Sequence, residues 1–291
     1  MTEPRPSVLV TGASTGIGHA CAADLVAHGF HVFAGVRKDA DAARLTEEFG
    51  ASVTPVIIDV AKPETIEAAA AAVRAALGGR TLAGLVNNAG ISSAGPLLHL
   101  PIEEMQRVLD VNLVGVLRVT QGYGPLLGAD RTLSGEPGRI VMMSSQGGKI
   151  GYPFGGAYIA AKHGLEGMSA SLRRELMIYG IDVIIVGPGA VATPIWDKAS
   201  EIDMSAYKDT DYGPIMSRGG GFIEQGRQGL PPERVARLVR HALTTPHPRV
   251  RYPIAKNPLV NWFAPRYLPA RLVDRVVARV AGLKRLERKS G

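Results

Sequence analysis

Short unbroken apolar runs alternate along the chain with longer stretches whose apolar positions recur at helical spacing. The runs at 7–12 (SVLVTG), 31–36 (HVFAGV), 53–59 (VTPVIID), 82–88 (LAGLVNN), 139–145 (RIVMMSS) and 181–187 (IDVIIVG) are dense in Val, Ile and Leu. A strand with one wet face alternates apolar and polar residues. These do not, so they read as parallel strands covered on both faces. Helical periodicity fills 16–28, 39–49, 63–77, 101–127 and 155–179 between them, and a helix at 232–244 precedes a last short strand, VRYPIA, at 250–255. Such β-α alternation with right-handed crossovers predicts an α/β fold: a doubly wound parallel sheet of about seven strands with helices on both faces.

No linker or internal repeat divides the chain. Residues 1–256 are expected to form a single domain that binds a dinucleotide and carries the catalysis. Within it, 194–230 is polar and Gly-rich and reads as a mobile substrate lid, with Ile195, Trp196, Met204, Tyr207, Tyr212, Met216 and Phe222 as its apolar wall. Residues 257–291 are a basic amphipathic extension. There, Leu272, Val273, Val276, Val277, Val280 and Leu283 fall at helical spacing, with Arg271, Arg275 and Arg279 on another face. Such a helix packs on its own domain, caps a pocket, joins a subunit or lies on an anionic membrane. Packing against protein is the commoner use of the pattern, so peripheral membrane contact ranks behind it.

Composition narrows the classes. At 46% hydrophobic and 20% charged, the chain can bury a real core. Cys21 is the single cysteine, which excludes an intramolecular disulfide and fits a reducing cytoplasm. The chain enters a strand pattern within seven residues and shows no signal peptide, and no apolar run approaches the roughly 20 residues of a membrane span. Net charge is +7, but from Arg266 onward eight Lys/Arg face only Asp274 and Glu287. A charge excess confined to one end does not describe a nucleic-acid groove, and no nucleic-acid partner is expected. The seven histidines lack the paired spacing of a zinc site, and no metal is expected.

The chemistry clusters where predicted strands end. The first strand runs into TGASTGIG (11–18), where Gly12, Gly16 and Gly18 let the backbone turn sharply and approach a pyrophosphate at a helix N-terminus. Where an NAD site carries an acid at the end of the second strand, this chain has Val36 and Arg37. A guanidinium there suits a 2′-phosphate, so NADP(H) is preferred, with NAD(H) possible. Tyr158 and Lys162 stand four apart in a helical stretch and share one face. A nearby ammonium is expected to lower the phenol toward the working range and make it a general acid/base. Ser144 and Ser145 end the preceding strand.

This combination resembles the short-chain dehydrogenase/reductase family, in its shorter single-domain branch. The resemblance rests on TGASTGIG, NNAG (87–90), the VN that ends in Asn112, the Ser145–Tyr158–Lys162 spacing and PGAVAT (188–193), over roughly residues 7–195. It implies a Rossmann-type fold and a secondary alcohol or ketone as substrate, with a homodimer or homotetramer as the assembly. Tyr158 is then the catalytic acid/base, and Lys162 holds the nicotinamide ribose and tunes Tyr158. Ser145 polarises the substrate oxygen, and Asn112 holds the water of a proton relay. The cofactor is implied to lie along Gly12, Ser14, Thr15, Gly16, Ile17, Gly18 and Arg37. It continues past Asp59 and Val60 at the adenine, and past Asn88, Ala89 and Gly90 beside the adenosine ribose. Tyr158, Lys162, Pro188, Gly189, Val191 and Thr193 complete the nicotinamide end. Gly187 departs from the family's frequent polar residue, and the tail beyond about 256 exceeds a minimal member. A non-catalytic nucleotide-binding scaffold is the alternative, and the complete Asn–Ser–Tyr–Lys set weighs against it.

Overall fold

The computed structural model describes residues 5–216 and 220–286. Seven strands form one sheet: β1 (Ser7–Thr11), β2 (His31–Val36), β3 (Val53–Ile57), β4 (Gly84–Asn87), β5 (Arg139–Met143), β6 (Asp182–Pro188) and β7 (Arg251–Ile254). Their order is β3-β2-β1-β4-β5-β6-β7, and every neighbouring pair is parallel. Each expected strand is present, within a residue or two at its ends.

The helices are α1 (Gly16–Ala27), α2 (Asp39–Phe49), α3 (Pro63–Leu77), α4 (Ile102–Leu109), α5 (Gly115–Tyr123), α6 (Gly156–Glu175), α7 (Ile195–Ser200), α8 (Gly213–Met216), α9 (Gly220–Arg227), α10 (Pro232–Thr244), α11 (Ala264–Tyr267) and α12 (Ala270–Ala281). Successive strand residues point to opposite faces of the sheet. Val8, Val10, Val32, Ala34, Val141 and Val186 therefore meet α1, α2 and α10 on one side through Cys21, Leu25, Leu45, Val235 and Val239. Leu9, Phe33, Leu85, Ile140 and Met142 meet α3, α5 and α6 on the other through Ile66, Val73, Val119, Tyr123 and Leu165. Burial on both faces is the cause of the unbroken apolar strands.

Three expectations need correction. The helix expected over 101–127 is interrupted between α4 and α5 by a π-helical turn, Asp110–Val114, centred on buried Asn112. That turn's side-chain bonds, described below, explain the break. Second, the helix expected over 155–179 ends as α-helix at Glu175 and tightens into a 3₁₀ turn over Leu176–Tyr179.

Third, 194–230, where the sequence shows no helical pattern, contains the short helices α7, α8 and α9 among its described residues. Local propensity is poor, but tertiary contacts fix it. The Trp196 ring covers Gly226 so closely that a Cβ there would lie 2.3 Å from it, and Leu230 exchanges backbone bonds with Ala190 and Ala192. The extension yields α11 and α12, while 287–291 lie outside the described residues. Among the described residues no helix is long and apolar enough to cross a membrane.

Candidate active site

In this strand order the chain reverses direction between β1 and β4, and ligands of doubly wound sheets bind at such a switch, outside the carboxyl ends of the strands. The first wall is the turn from β1 to α1. Gly12 and Gly16 have φ of +66° and +59°, the left-handed region that L side chains avoid. Gly18 is needed for closeness instead, because a Cβ there would lie 2.1 Å from the Gly12 carbonyl oxygen. Thr15 precedes α1 without capping it, and the first turn carries no acid, so the helix N-terminus keeps its N–H groups for an anion. Ser14 and Ile17 lie on this turn, and Arg44 of α2 donates to the Ser14 carbonyl.

β4 is tied to this turn by Thr11, whose role the sequence did not disclose. Its hydroxyl accepts from the backbone N–H groups of Asn88 and Ala89, both at 3.0 Å, and donates to Val86. The Asn88 amide donates to the carbonyls of Thr11 (2.9 Å) and Gly12 (3.3 Å). Gly90 follows against Asn112, whose amide clamps Ile91 from both ends: Nδ2 donates to its carbonyl and Oδ1 accepts from its N–H, each at 2.8 Å. These two bonds leave one N–H and one lone pair of that amide uncommitted.

Arg37 is exposed at the tip of β2, beyond buried Val36, and Asp39 and Asp41 begin α2 as expected. Among the described residues no carboxylate is paired with Arg37. Asp59 shapes its own turn by accepting from the Ala61 N–H, and Val60 is buried beside it. At the far end, Pro188 closes β6 and Gly189 donates to Ile254. The Val191 carbonyl accepts from the Trp196 indole at 2.7 Å, and Thr193 packs over Gly16. These residues follow the carboxyl ends of β1, β2, β3, β4 and β6, the side of such a sheet on which ligands bind.

Tyr158 and Lys162 are neighbours, as their spacing along α6 predicts. The Lys162 ammonium is 5.7 Å from the centre of the Tyr158 ring and donates to the Met143 carbonyl at 2.8 Å. Ser145 reaches Tyr158 from the end of β5: its hydroxyl oxygen accepts from the Gly147 N–H at 3.0 Å, and its hydrogen bond to Tyr158 favours the phenolate. The expected lowering of the phenol by the lysine is not what results. Burial raises Tyr158 above the ordinary tyrosine value, Ser145 only partly offsets this, and burial lowers Lys162 to about 8, opposed by Glu166. Sequence spacing shows the cation but not the desolvation that outweighs it.

Behind this face lies a charged cluster invisible in the sequence. Buried Glu166, four residues after Lys162, accepts from the Ser144 hydroxyl at 2.8 Å and from Arg251 Nε at 3.0 Å, and pairs with Lys149 at 3.2 Å. Arg251 Nη2 also donates to the Ser145 carbonyl at 3.3 Å. This explains Gly187, since a Cβ there would sit 2.3 Å from that same guanidinium nitrogen.

The loops that follow β4, β5 and β6 carry an aromatic cluster. Phe154, the one non-glycine residue with positive φ among those described, accepts from Gly95 through its carbonyl and meets the Tyr212 ring edge-on. Tyr212 also meets His99, and Tyr207 is buried against Gly95. Ile195, Trp196, Met204 and Met216 are half-buried. The Phe222 side chain lies outside the described residues.

Comparison with known proteins shows the family. The family model described as short chain dehydrogenase matches residues 6–203. The NADPH-dependent 3-dehydrocapnine reductase of Ornithobacterium rhinotracheale is 35% identical, covering 97% of this chain and 99% of its own. The 17-beta-hydroxysteroid dehydrogenase type 6 of Bos taurus is 36% identical over 94% of this chain and 87% of its own. The crystal structure of a short-chain dehydrogenase from Streptomyces avermitilis superposes with a TM-score of 0.74 at 26% identity, covering 97% and 96% of the two chains.

Proposed function

The chain belongs to the short-chain dehydrogenase/reductase family and is an oxidoreductase, and on that footing we propose that it interconverts a secondary alcohol and a ketone on an apolar substrate with NADP(H). The observation that carries this reading is the meeting of Tyr158, Ser145 and Lys162 after β5, in a parallel sheet whose first strand runs into a glycine cradle. A nicotinamide dinucleotide fits that cradle: Gly12 and Gly18 leave no room for a Cβ, and the uncapped start of α1 offers its N–H groups to a pyrophosphate. Gly12, Ser14, Thr15, Gly16, Ile17 and Gly18 would hold the phosphates. Asp59, Val60, Asn88, Ala89 and Gly90 would hold the adenosine, and Pro188, Gly189, Val191, Thr193 and Lys162 the nicotinamide end. When bound, the cofactor supplies the hydride.

The protein supplies the proton and its control. In reduction, the Tyr158 hydroxyl donates its proton to the substrate oxygen as negative charge develops there. A phenol held high by burial keeps that proton until the acceptor becomes basic. Ser145 has its oxygen held by the Gly147 N–H, so the O–H that bonds Tyr158 can turn to stabilise the same oxygen. Lys162 is fixed by Met143 and presents a cation next to the phenolate that remains. Asn112 retains an N–H and a lone pair for a relay water after its two bonds to Ile91.

The aromatic wall of Phe154, Tyr207 and Tyr212 supports an apolar substrate. The similarity to a 17-beta-hydroxysteroid dehydrogenase points the same way. NADPH consumption across a panel of aliphatic, steroid-like and retinoid-like carbonyls tests the reading. Oxidation with the apolar members is expected, and NADPH binding without oxidation across the panel would leave a nucleotide-binding scaffold.

Cofactor choice is separately testable. Exposed Arg37 is placed to take a 2′-phosphate through its fork, and hydrogen bonds to charged groups contribute about 1.5–3 kcal/mol. Arg37→Asp should therefore lower the ratio of kcat/KM with NADPH to that with NADH at least about tenfold. An unchanged ratio would remove Arg37 from the phosphate site.

A further inference from the structure

The C-terminal extension presents an apolar face that its own domain leaves uncovered. None of the residues of α12 is buried, and Leu272, Val276 and Val280 are exposed on one side of it. Just before it, Leu259, Phe263, Tyr267 and Leu268 are exposed as well, with the Phe263 and Tyr267 rings stacked. The apolar arc runs from Leu272 through Val276, Val280, Val273 and Val277, at angles that 3.6-residue periodicity places together. Arg271, Arg275 and Arg279 border it, and among the described residues no carboxylate is paired with any of the three. Asp274 is the lone acid of the helix.

An arc of aliphatic residues with arginines along its Leu272 edge, preceded by exposed aromatics, matches the two layers of an anionic lipid surface: acyl chains and headgroup charge. We propose that α12, with Phe263 and Tyr267, docks this protein on an anionic membrane, lying in the interface plane. The proposal stands apart from the reading of the active site. A second copy of the chain is the competing occupant, but three bordering arginines would then have to face three others across a two-fold contact.

Sedimentation of the full chain with vesicles of phosphatidylcholine, alone or mixed with phosphatidylglycerol, decides between them. Binding to the mixed vesicles only, weakened by salt, is expected. Val276→Asp with Val280→Asp, and separately Arg275→Glu with Arg279→Glu, should each weaken it at least about tenfold. Turnover of a soluble ketone should be unchanged in both. Failure of the intact chain to bind the anionic vesicles overturns the proposal, as does binding indifferent to both double variants. Loss of self-association with the valine variants, without vesicle binding, assigns the face to a second copy.

The buried cluster behind the catalytic face carries a second, independent inference. Glu166 touches Ser144, Arg251 and Lys149, and Arg251 reaches Ser145 while the Trp262 ring covers its guanidinium at 4.1 Å. We infer that Glu166 is a positioning residue: through Arg251 it fixes the β5 end that carries Ser145, and through space it sustains the positive charge of Lys162. The charged groups facing it are Lys162 on α6, Lys149 after β5 and Arg251 on β7, with Arg266 beyond Trp262, and Tyr158 stands on the far side of Lys162.

Two substitutions with opposite expected signs test this. Glu166→Gln removes the anion, so Lys162 loses its proton at lower pH and the alkaline limb of kcat/KM moves down. Lys149→Met removes a competing, partly exposed cation, and the limb moves up. Glu166→Asp, which keeps the charge, should restore most of the profile. A purely structural role predicts lower melting temperature with both limbs in place. Should Glu166→Gln fail to fold, Lys149→Met still decides, since an unmoved limb there contradicts the inference.

Discussion

Gly18→Ala will weaken NADPH binding more than about 100-fold, a loss of roughly 2.8 kcal/mol. The cause is steric. A methyl group at Gly18 would lie 2.1 Å from the Gly12 oxygen and 2.6 Å from the Asn88 amide nitrogen. The oxygen is backbone, so the turn itself must move, and Asn88 then loses its grip on the carbonyls of Thr11 and Gly12. That displaces the turn from the start of α1, whose N–H groups are the anion site. Cooperative folding should survive at a lower melting temperature, because Ala13 and Ile17 tie the turn to the core while most of the buried residues on both faces of the sheet lie outside it. Calorimetric titration with NADPH checks the binding and a thermal melt checks the fold. Native affinity in the variant would show that the cofactor phosphates lie elsewhere.

What the sequence disclosed follows from which constraints are local. Strands such as Leu9–Val10 and Val183–Val186 are buried on both faces, so nearly every position had to be apolar and the run announced itself. Tyr158 and Lys162 were legible because helical spacing alone makes them neighbours. The helices inside 194–216 were not, because their stability comes from contacts such as Tyr207 beneath Gly95 rather than from propensity. The π-helical turn at Asn112 depends on a partner 21 residues earlier, and the Glu166–Arg251 pair on one 85 residues later. No local pattern encodes either. The phenol's direction was misjudged for a related reason: neighbours along a helix can be counted, but desolvation belongs to the assembled site.

The mechanism itself turns on one proton. Tyr158 is the half-buried hydroxyl that Ser145 bonds and Lys162 faces, and no other residue among those described combines these contacts. Phenylalanine fills the same space, keeps the packing of α6 and removes only the O–H. General acid catalysis contributes about 10²- to 10⁴-fold, so Tyr158→Phe should lower the chemical step by that order while NADPH affinity stays within about threefold. The decisive measurement is a single-turnover experiment. NADPH-loaded protein is mixed rapidly with a ketone that the wild type reduces, and loss of nicotinamide absorbance is followed. One equivalent oxidised by the wild type, and at least a hundredfold slower oxidation by Tyr158→Phe of equal NADPH affinity, is the predicted result. Oxidation by the variant at the wild-type rate would contradict the assignment of Tyr158 as the proton donor.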